Sequence, residues 1–135
     1  MSGPHRSINP DSLAPPIGFS HAVVAEPGRV VHVGGQTAHG PDGSVRGDTV
    51  AEQFDEAVAN LSRVLDAAGA RPDHLVSVQI FVTDAEAYRG SLGAIGESWR
   101  RHFGKHYPAM ALFEVVGLFD PAAKVEMTAV AVIPE

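Results

Sequence analysis

The alternation of apolar and polar residues changes period along this chain, and each change marks an expected element. From Phe19 to Ala25 and from Val30 to Gly35, two short runs rich in valine flank Glu26-Pro27-Gly28-Arg29, where Pro and Gly supply turn chemistry, so a first β-hairpin is expected. After Asp48, a suitable N-cap, Val50, Phe54, Ala57, Leu61, Val64 and Ala68 recur at spacings of four and three, with Val58 and Leu65 widening the stripe. That pattern predicts an amphipathic helix ending at Gly69. His74 to Thr83 alternates, with Val76, Val78, Ile80 and Val82 on one side and Ser77, Gln79, Phe81 and Thr83 on the other, as in a strand with one apolar face. Asp84 opens a second helical pattern through Tyr88, Leu92, Ile95, Trp99 and Phe103, weakened by Gly90, Gly93 and Gly96. Two runs apolar on both alternating faces follow, Ala109 to Val116 and Val125 to Ile133, joined by a turn containing Gly117, Asp120 and Pro121. They predict a second hairpin, central in a sheet because neither face is built to meet water.

The expected order is ββαβαββ. Each helix connects strands that can lie parallel in one mixed sheet, and right-handed crossovers place both helices on the same face. Residues 1–16 hold Pro4, Pro10, Pro15 and Pro16 and few large apolar side chains, so they read as an N-terminal arm or loop. The 135 residues suit one domain, 1–135. The face opposite the helices is left apolar, with Met110, Leu112, Val116, Val130 and Val132 assigned to it, and an apolar surface of that extent points to self-association.

Composition narrows the partners. The net charge is −6 and Lys and Arg number ten, which disfavours a nucleic-acid partner. There is no cysteine, so disulfides, thiolate nucleophiles and Cys-ligated metals are excluded. The N-terminal residues lack the apolar core of a signal peptide, and no run approaches the roughly 18 apolar residues of a membrane span. A cytoplasmic protein with no membrane association is expected.

The chemistry concentrates on few residues. Glu126 stands between Val125 and Met127, and a carboxylate in an apolar strand must be hydrogen-bonded, paired or kept protonated. Two readings are open: activation of a water molecule, or a structural partnership with a backbone N–H or with Lys124 or arginine side chains across a subunit interface. Glu114 reads as a second acid or as a structural hydrogen-bonding group. His32 shares strand parity with Gly34 and reads either as a general acid or base or as a surface histidine. Gly34 and Gly35 allow a ligand to approach the backbone closely or mark a bulge. Among seven histidines only His102 and His106 stand four apart, near an expected helix end at Gly104 and Pro108, and no carboxylate at motif spacing completes a ligand set. No metal site and no cofactor are expected.

Several segments taken together resemble the reactive intermediate deaminase family, Rid or YjgF-like. They are Ile-Gly at 17–18, Gly-Gly-Gln at 34–36, Ala-Ala-Gly at 67–69, Val-Gln-Ile-Phe-Val-Thr-Asp at 78–84, Tyr-Pro-Ala at 107–109 and Lys-Val-Glu-Met-Thr-Ala-Val-Ala-Val at 124–132. The resemblance implies a chorismate-mutase-like α+β fold, a homotrimer packed through the helix-free face, and small-molecule clefts between subunits. It also implies that Glu126 orients the water that attacks an imine carbon. Three of the family's cleft residues are changed: Met110 stands for the Arg that grips a substrate carboxylate, Ser20 for a Tyr, and Gly34 for a Ser. The site is accordingly expected to comprise Glu126 as the catalytic group, with Ser20, Gly34, Gly35, Gln36, Met110, Leu112 and Glu114 around the ligand and His32 as acid or base. Two functions from different classes follow: hydrolysis of a reactive imine, enamine or related C–N compound lacking a free carboxylate, and non-catalytic binding of a small metabolite by the trimer. An endoribonuclease activity fits less well, because no His-Lys or paired-His constellation is present.

Overall fold

The computed structural model describes residues 3–135. In chain order the elements are β1 (Arg6–Ile8), β2 (Ala22–Val24), β3 (Gly28–Gln36), α1 (Val50–Ala67), β4 (Leu75–Val82), α2 (Ala85–Arg89), α3 (Leu92–Phe103), β5 (Ala109–Glu114) and β6 (Val125–Pro134), with a 3₁₀ turn at Pro72–His74. The fold is α+β. Four strands form one mixed sheet in the order β3-β6-β4-β5, in which only β4 and β5 are parallel neighbours.

Helix α1 starts one residue later than Asp48 suggests, because Thr49 and Glu52 cap each other: the Glu52 N–H donates to Thr49 Oγ1 at 3.1 Å and the Thr49 N–H to Glu52 Oε1 at 3.0 Å. Its stripe, with Phe54, Ala57, Val58, Leu61 and Leu65 buried, packs on Val78, Ile80 and Val82 of β4 and on Val125, Met127, Ala129 and Ala131 of β6. The second helical pattern is broken into α2 and α3 at Gly90-Ser91, where the chain turns between an Asp84-capped first piece and the Trp99-bearing second. Asp55 of α1 fastens α3: its Oδ1 accepts from Ser98 Oγ at 2.6 Å, from the Arg101 guanidinium and from His102 Nε2 at 3.1 Å. Burial opposes ionisation of Asp55, but these donors outweigh it and hold its carboxyl below the ordinary 3.8.

Both expected hairpins are corrected. β5 and β6 are not partners, because β4 lies between them, pairing in parallel with β5 and antiparallel with β6. A strand apolar on both faces is compatible with any neighbour, and the connection through 115–124 is long enough to pass over β4. β6 is central, as expected, whereas β5 is an edge. β3 likewise pairs with β6 rather than β2, and Gly28 starts that pairing where a Cβ would overlap the Ile133 carbonyl. β2 instead pairs with β1, so the proline-rich arm contributes a strand. It is held by buried His5, whose Nε2 contacts the Val132 carbonyl at 2.8 Å, and whose Nδ1 accepts the Glu26 N–H at 3.0 Å. Val132 lies just past the first β4 partner, Ala131, so the histidine serves a carbonyl that β4 does not reach.

The face assignment of the last strands is corrected too. Met110 and Leu112 sit in register with Val78 and Ile80, which are buried against the helices, so both belong to the helix side. Val116 is outside the sheet and fully exposed. The helix-free face carries Val30 and His32 of β3, Gln79 and Phe81 of β4, Phe113 of β5, and Glu126, Thr128 and Val130 of β6.

A buried histidine gives the fold a pH dependence. His74 accepts the Arg71 N–H on Nδ1 at 3.0 Å, and burial, followed by the Arg71 charge, holds its pKa below the ordinary 6.5. The unfolded chain then binds a proton on His74 at a higher pH than the folded chain, so stability is lost as pH falls below 6.5. Calorimetric melting temperatures should fall from pH 7 toward pH 5, and His74→Gln should flatten that slope while lowering the value at pH 7. An unchanged slope in His74→Gln would refute the assignment.

Candidate functional site

The bulge in β3 is the starting point. Val33 pairs with Ala129 and Gln36 with Met127, so Gly34 and Gly35 together oppose one residue of β6. The bulge brings the Gly35 backbone under the Glu126 side chain, and a Cβ at Gly35 would overlap the Glu126 carboxylate. Gly34 has open space at its Cβ position. On the other side of Glu126, Phe81 is its register partner and packs on Phe113 with ring centroids 5.5 Å apart. One row across the helix-free face therefore reads bulge, carboxylate, aromatic, aromatic. Glu126 is partly buried in this row and has no ion-pair partner among the described residues.

The bulge is held from below by a residue that sequence reasoning missed. Asn60 of α1, 8 % exposed, donates through Nδ2 to the carbonyls of Thr37 at 2.9 Å and His39 at 2.8 Å, fastening the segment that leaves the bulge. Gln53, 2 % exposed, donates to the Gly47 and Ala122 carbonyls and accepts the Lys124 N–H at 2.7 Å, which ties α1 to the residues entering β6. The signal was present: Gln53 and Asn60 stand seven apart, on the apolar stripe, where a polar residue must be satisfied by a nearby backbone.

The other expected site residues are dispersed. Ser20 is buried, its Oγ 2.6 Å from the Tyr107 carbonyl and 3.3 Å from Ser7 Oγ, so it fastens the N-terminal segment to the start of β5. Glu114 accepts the Ala85 N–H at 2.8 Å in the first turn of α2, the structural role among its two readings. Gln36 is bound locally, donating to the Gly34 carbonyl at 3.3 Å and lying 3.3 Å from His39 Nε2. His32 faces the same side as Glu126 but is opposite Val130, four residues along β6 and so about 13 Å away. That is too far for direct proton transfer between them. His106 meets the Leu75 carbonyl at 2.9 Å, while His102 meets Asp55, so the spacing of four does not bring two imidazoles to one ligand.

Met110 and Leu112 instead line a cavity of about 530 Å³ between β5 and the helices, with Phe54, Tyr88, Ile95 and Trp99 among its walls. Ile17, Gly18 and Phe19 also line it, just before the buried Ser20. Trp99 is fixed by a 2.9 Å bond from Nε1 to the His106 carbonyl and by an edge contact with Phe103. Burial pushes the Tyr88 hydroxyl up to about 12, so it stays a neutral phenol at ordinary pH. The cavity and Glu126 are on opposite faces of the sheet, and one chain by itself does not join them.

Comparison with known proteins agrees with this architecture. The family described as Endoribonuclease L-PSP matches residues 10–133. The chain is 34 % identical over 130 residues to protein DfrA of Myxococcus xanthus, covering 94 % of this chain and 95 % of that protein. It is 30 % identical over 135 residues to the 2-iminobutanoate/2-iminopropanoate deaminase of Rattus norvegicus, covering 98 % and 93 %. Among solved structures, YyfB of Yersinia pestis, described as a protein of unknown function of the conserved Rid family, superimposes with a TM-score of 0.86 at 32 % identity, covering 96 % of this chain and 98 % of that one. No helix among the described residues is long and apolar enough to cross a membrane.

Proposed function

From the premise that this chain belongs to the Rid, or YjgF-like, family whose model is described as Endoribonuclease L-PSP, we propose that it hydrolyses a small reactive imine or enamine lacking a carboxylate on the reacting carbon. The observation that carries the reading is the Glu126 carboxylate, seated over the Gly35 backbone beside Phe81 and without an ion-pair partner among the described residues. In the proposed reaction Glu126 accepts a proton as the oxygen of water bonds to the imine carbon, the C=N electron pair moves to nitrogen, and a carbinolamine forms. Glu126 returns that proton to nitrogen to complete the carbinolamine, then takes the hydroxyl proton and passes it to nitrogen as the C=O bond forms and the C–N bond breaks, so that the carbonyl compound and ammonia leave. Backbone groups of the Gly34-to-Thr37 segment would bind polar atoms of the substrate at the bulge, apart from the Gly34 and Thr37 carbonyls, which accept from Gln36 and Asn60.

The reading places the reaction between copies of the chain. Because Glu126 and Met110 are on opposite sides of one sheet, a second subunit must bring its own carboxylate row to the β5 edge of the first. A closed three-fold arrangement meets this requirement with identical contacts at each interface. The resemblance to Rid proteins and the exposure of Val30, Leu112, Phe113, Val116 and Phe119 support it.

Substrate choice turns on Met110. A thioether offers no planar fork to a carboxylate and desolvates it without compensation. The chain should therefore act poorly on the 2-imino acids named for its deaminase relatives and better on imines formed by an amine oxidase. The assay is ammonia release from both imine types, generated in situ by amino-acid oxidase or amine oxidase. Met110→Arg should raise the rate on 2-imino acids about tenfold, since a hydrogen bond to a charged group contributes about 1.5 kcal/mol or more. Wild-type rates on 2-imino acids equal to those on amine-derived imines would refute the reading.

A further inference from the structure

We propose that the cavity between β5 and α3 takes an amphipathic molecule with an apolar body and a single carboxylate, and that Arg100 holds that carboxylate at the rim. The proposal rests on the reading of this cavity as one half of the cleft and names the kind of substrate it admits. Among the residues lining the cavity, Arg100 alone carries a charge. The two consecutive arginines of α3 divide their tasks: Arg101 is bound to Asp55 of α1, whereas Arg100 has no ion-pair partner among the described residues. Gly96, one turn earlier, lets the Arg100 guanidinium lie along the helix, for a Cβ there would stand 3.2 Å from Nη1. Glycine inside a helix is destabilising relative to alanine, so the open wall and the path it gives Arg100 come at a local cost to α3.

The chemistry follows from one fork above an apolar chamber. A guanidinium matches a carboxylate with two parallel N–H bonds. A phosphate dianion would leave one charge uncompensated, because no second cation lines the cavity. Ile95, Trp99, Met110 and Leu112 suit an aromatic or branched aliphatic body. The carboxylate then sits at the helix wall, away from Met110, so the anion is recognised at a distance from the carbon that reacts. This is how a chain without the strand arginine can accept an acid and still disfavour 2-imino acids.

Trp99 is the only tryptophan and lines the cavity, so its fluorescence reports occupancy. The full-length protein is titrated with 3-phenylpropionate and with 3-phenylpropionamide, which differ in charge at one end. The wild type should bind the acid about fivefold more tightly than the amide, the upper range for a solvent-exposed ion pair. Arg100→Gln should abolish the preference and leave amide affinity unchanged, Arg100→Lys should retain part of it, and Gly96→Ala should weaken acid binding while raising the melting temperature. Equal affinities in the wild type, no Trp99 response to either compound, or a preference that survives Arg100→Gln would overturn the proposal. The titration reads binding and not turnover, so its outcome is separate from whether Glu126 activates water.

Discussion

Replacing Glu126 by Gln should lower kcat for imine hydrolysis by about a hundredfold or more, with KM nearly unchanged, since a positioned general base typically contributes 10²–10⁴ in rate. Glutamine keeps the length of the side chain and can lie over Gly35 as the carboxylate does, so the bulge and the Phe81-Phe113 wall should survive. What is lost is basicity, because an amide does not accept a proton from water at neutral pH. Single-turnover measurement on an imine generated by amine oxidase separates the chemical step from product release. If kcat is unaffected, Glu126 is not the group that activates water; a wild type that does not accelerate hydrolysis at all would make the chain a non-catalytic small-molecule binder. A fall in kcat that is matched by a proportional rise in KM would also argue against water activation, for it would report lost binding instead.

If the proposed three-fold assembly closes through the helix-free face, Val130→Asp should dissociate it while leaving the chain folded. Val130 lies on the helix-free face, opposite His32 of β3 and Ser77 of β4, and is partly buried within one chain. An Asp at this position can reach water in the monomer. In an assembly closed through that face it becomes an unpaired buried charge, which costs about 3–5 kcal/mol at each interface. Light scattering coupled to size exclusion should give three times the chain mass for the wild type and one chain mass for the variant, with unchanged far-ultraviolet circular dichroism. A wild type that is a stable monomer at micromolar concentration, or a variant that is still trimeric, would exclude this mode of association. Loss of the dichroism signal would assign Val130 to the fold itself.

The elements that sequence reading placed well are those whose burial is periodic within a single segment. The stripe from Phe54 to Leu65 has one way to hide in a helix, and the alternation of Val78, Ile80 and Val82 has one way to hide in a half-buried strand. Pairing was less accessible. Val125 to Ile133 is apolar on both faces and names no partner, so adjacency along the chain suggested a hairpin where β4 intervenes. The helix-side placement of Met110 and Leu112 is illegible in the sequence for the same reason, since a strand without alternation takes its face from its neighbour's register.

Within the site, the chain alone marked Glu126 and the Gly34-Gly35 pair, because a carboxylate among valines and consecutive glycines before a polar residue are local anomalies. Their contact was not legible, as it depends on where the bulge falls between Val33 and Gln36 against β6. Ser20 and Glu114 looked like ligand-facing groups until the fold supplied Tyr107 and Ala85 as partners. Arg100 and Arg101 are chemically identical neighbours in sequence, and only the packing of α3 against α1 turns one to Asp55 and leaves the other beside the cavity. Local patterns thus determined which segments are helix and strand, since each segment hides its own apolar residues. Register, face and partnership were decided by tertiary structure, because they are properties of two segments at once.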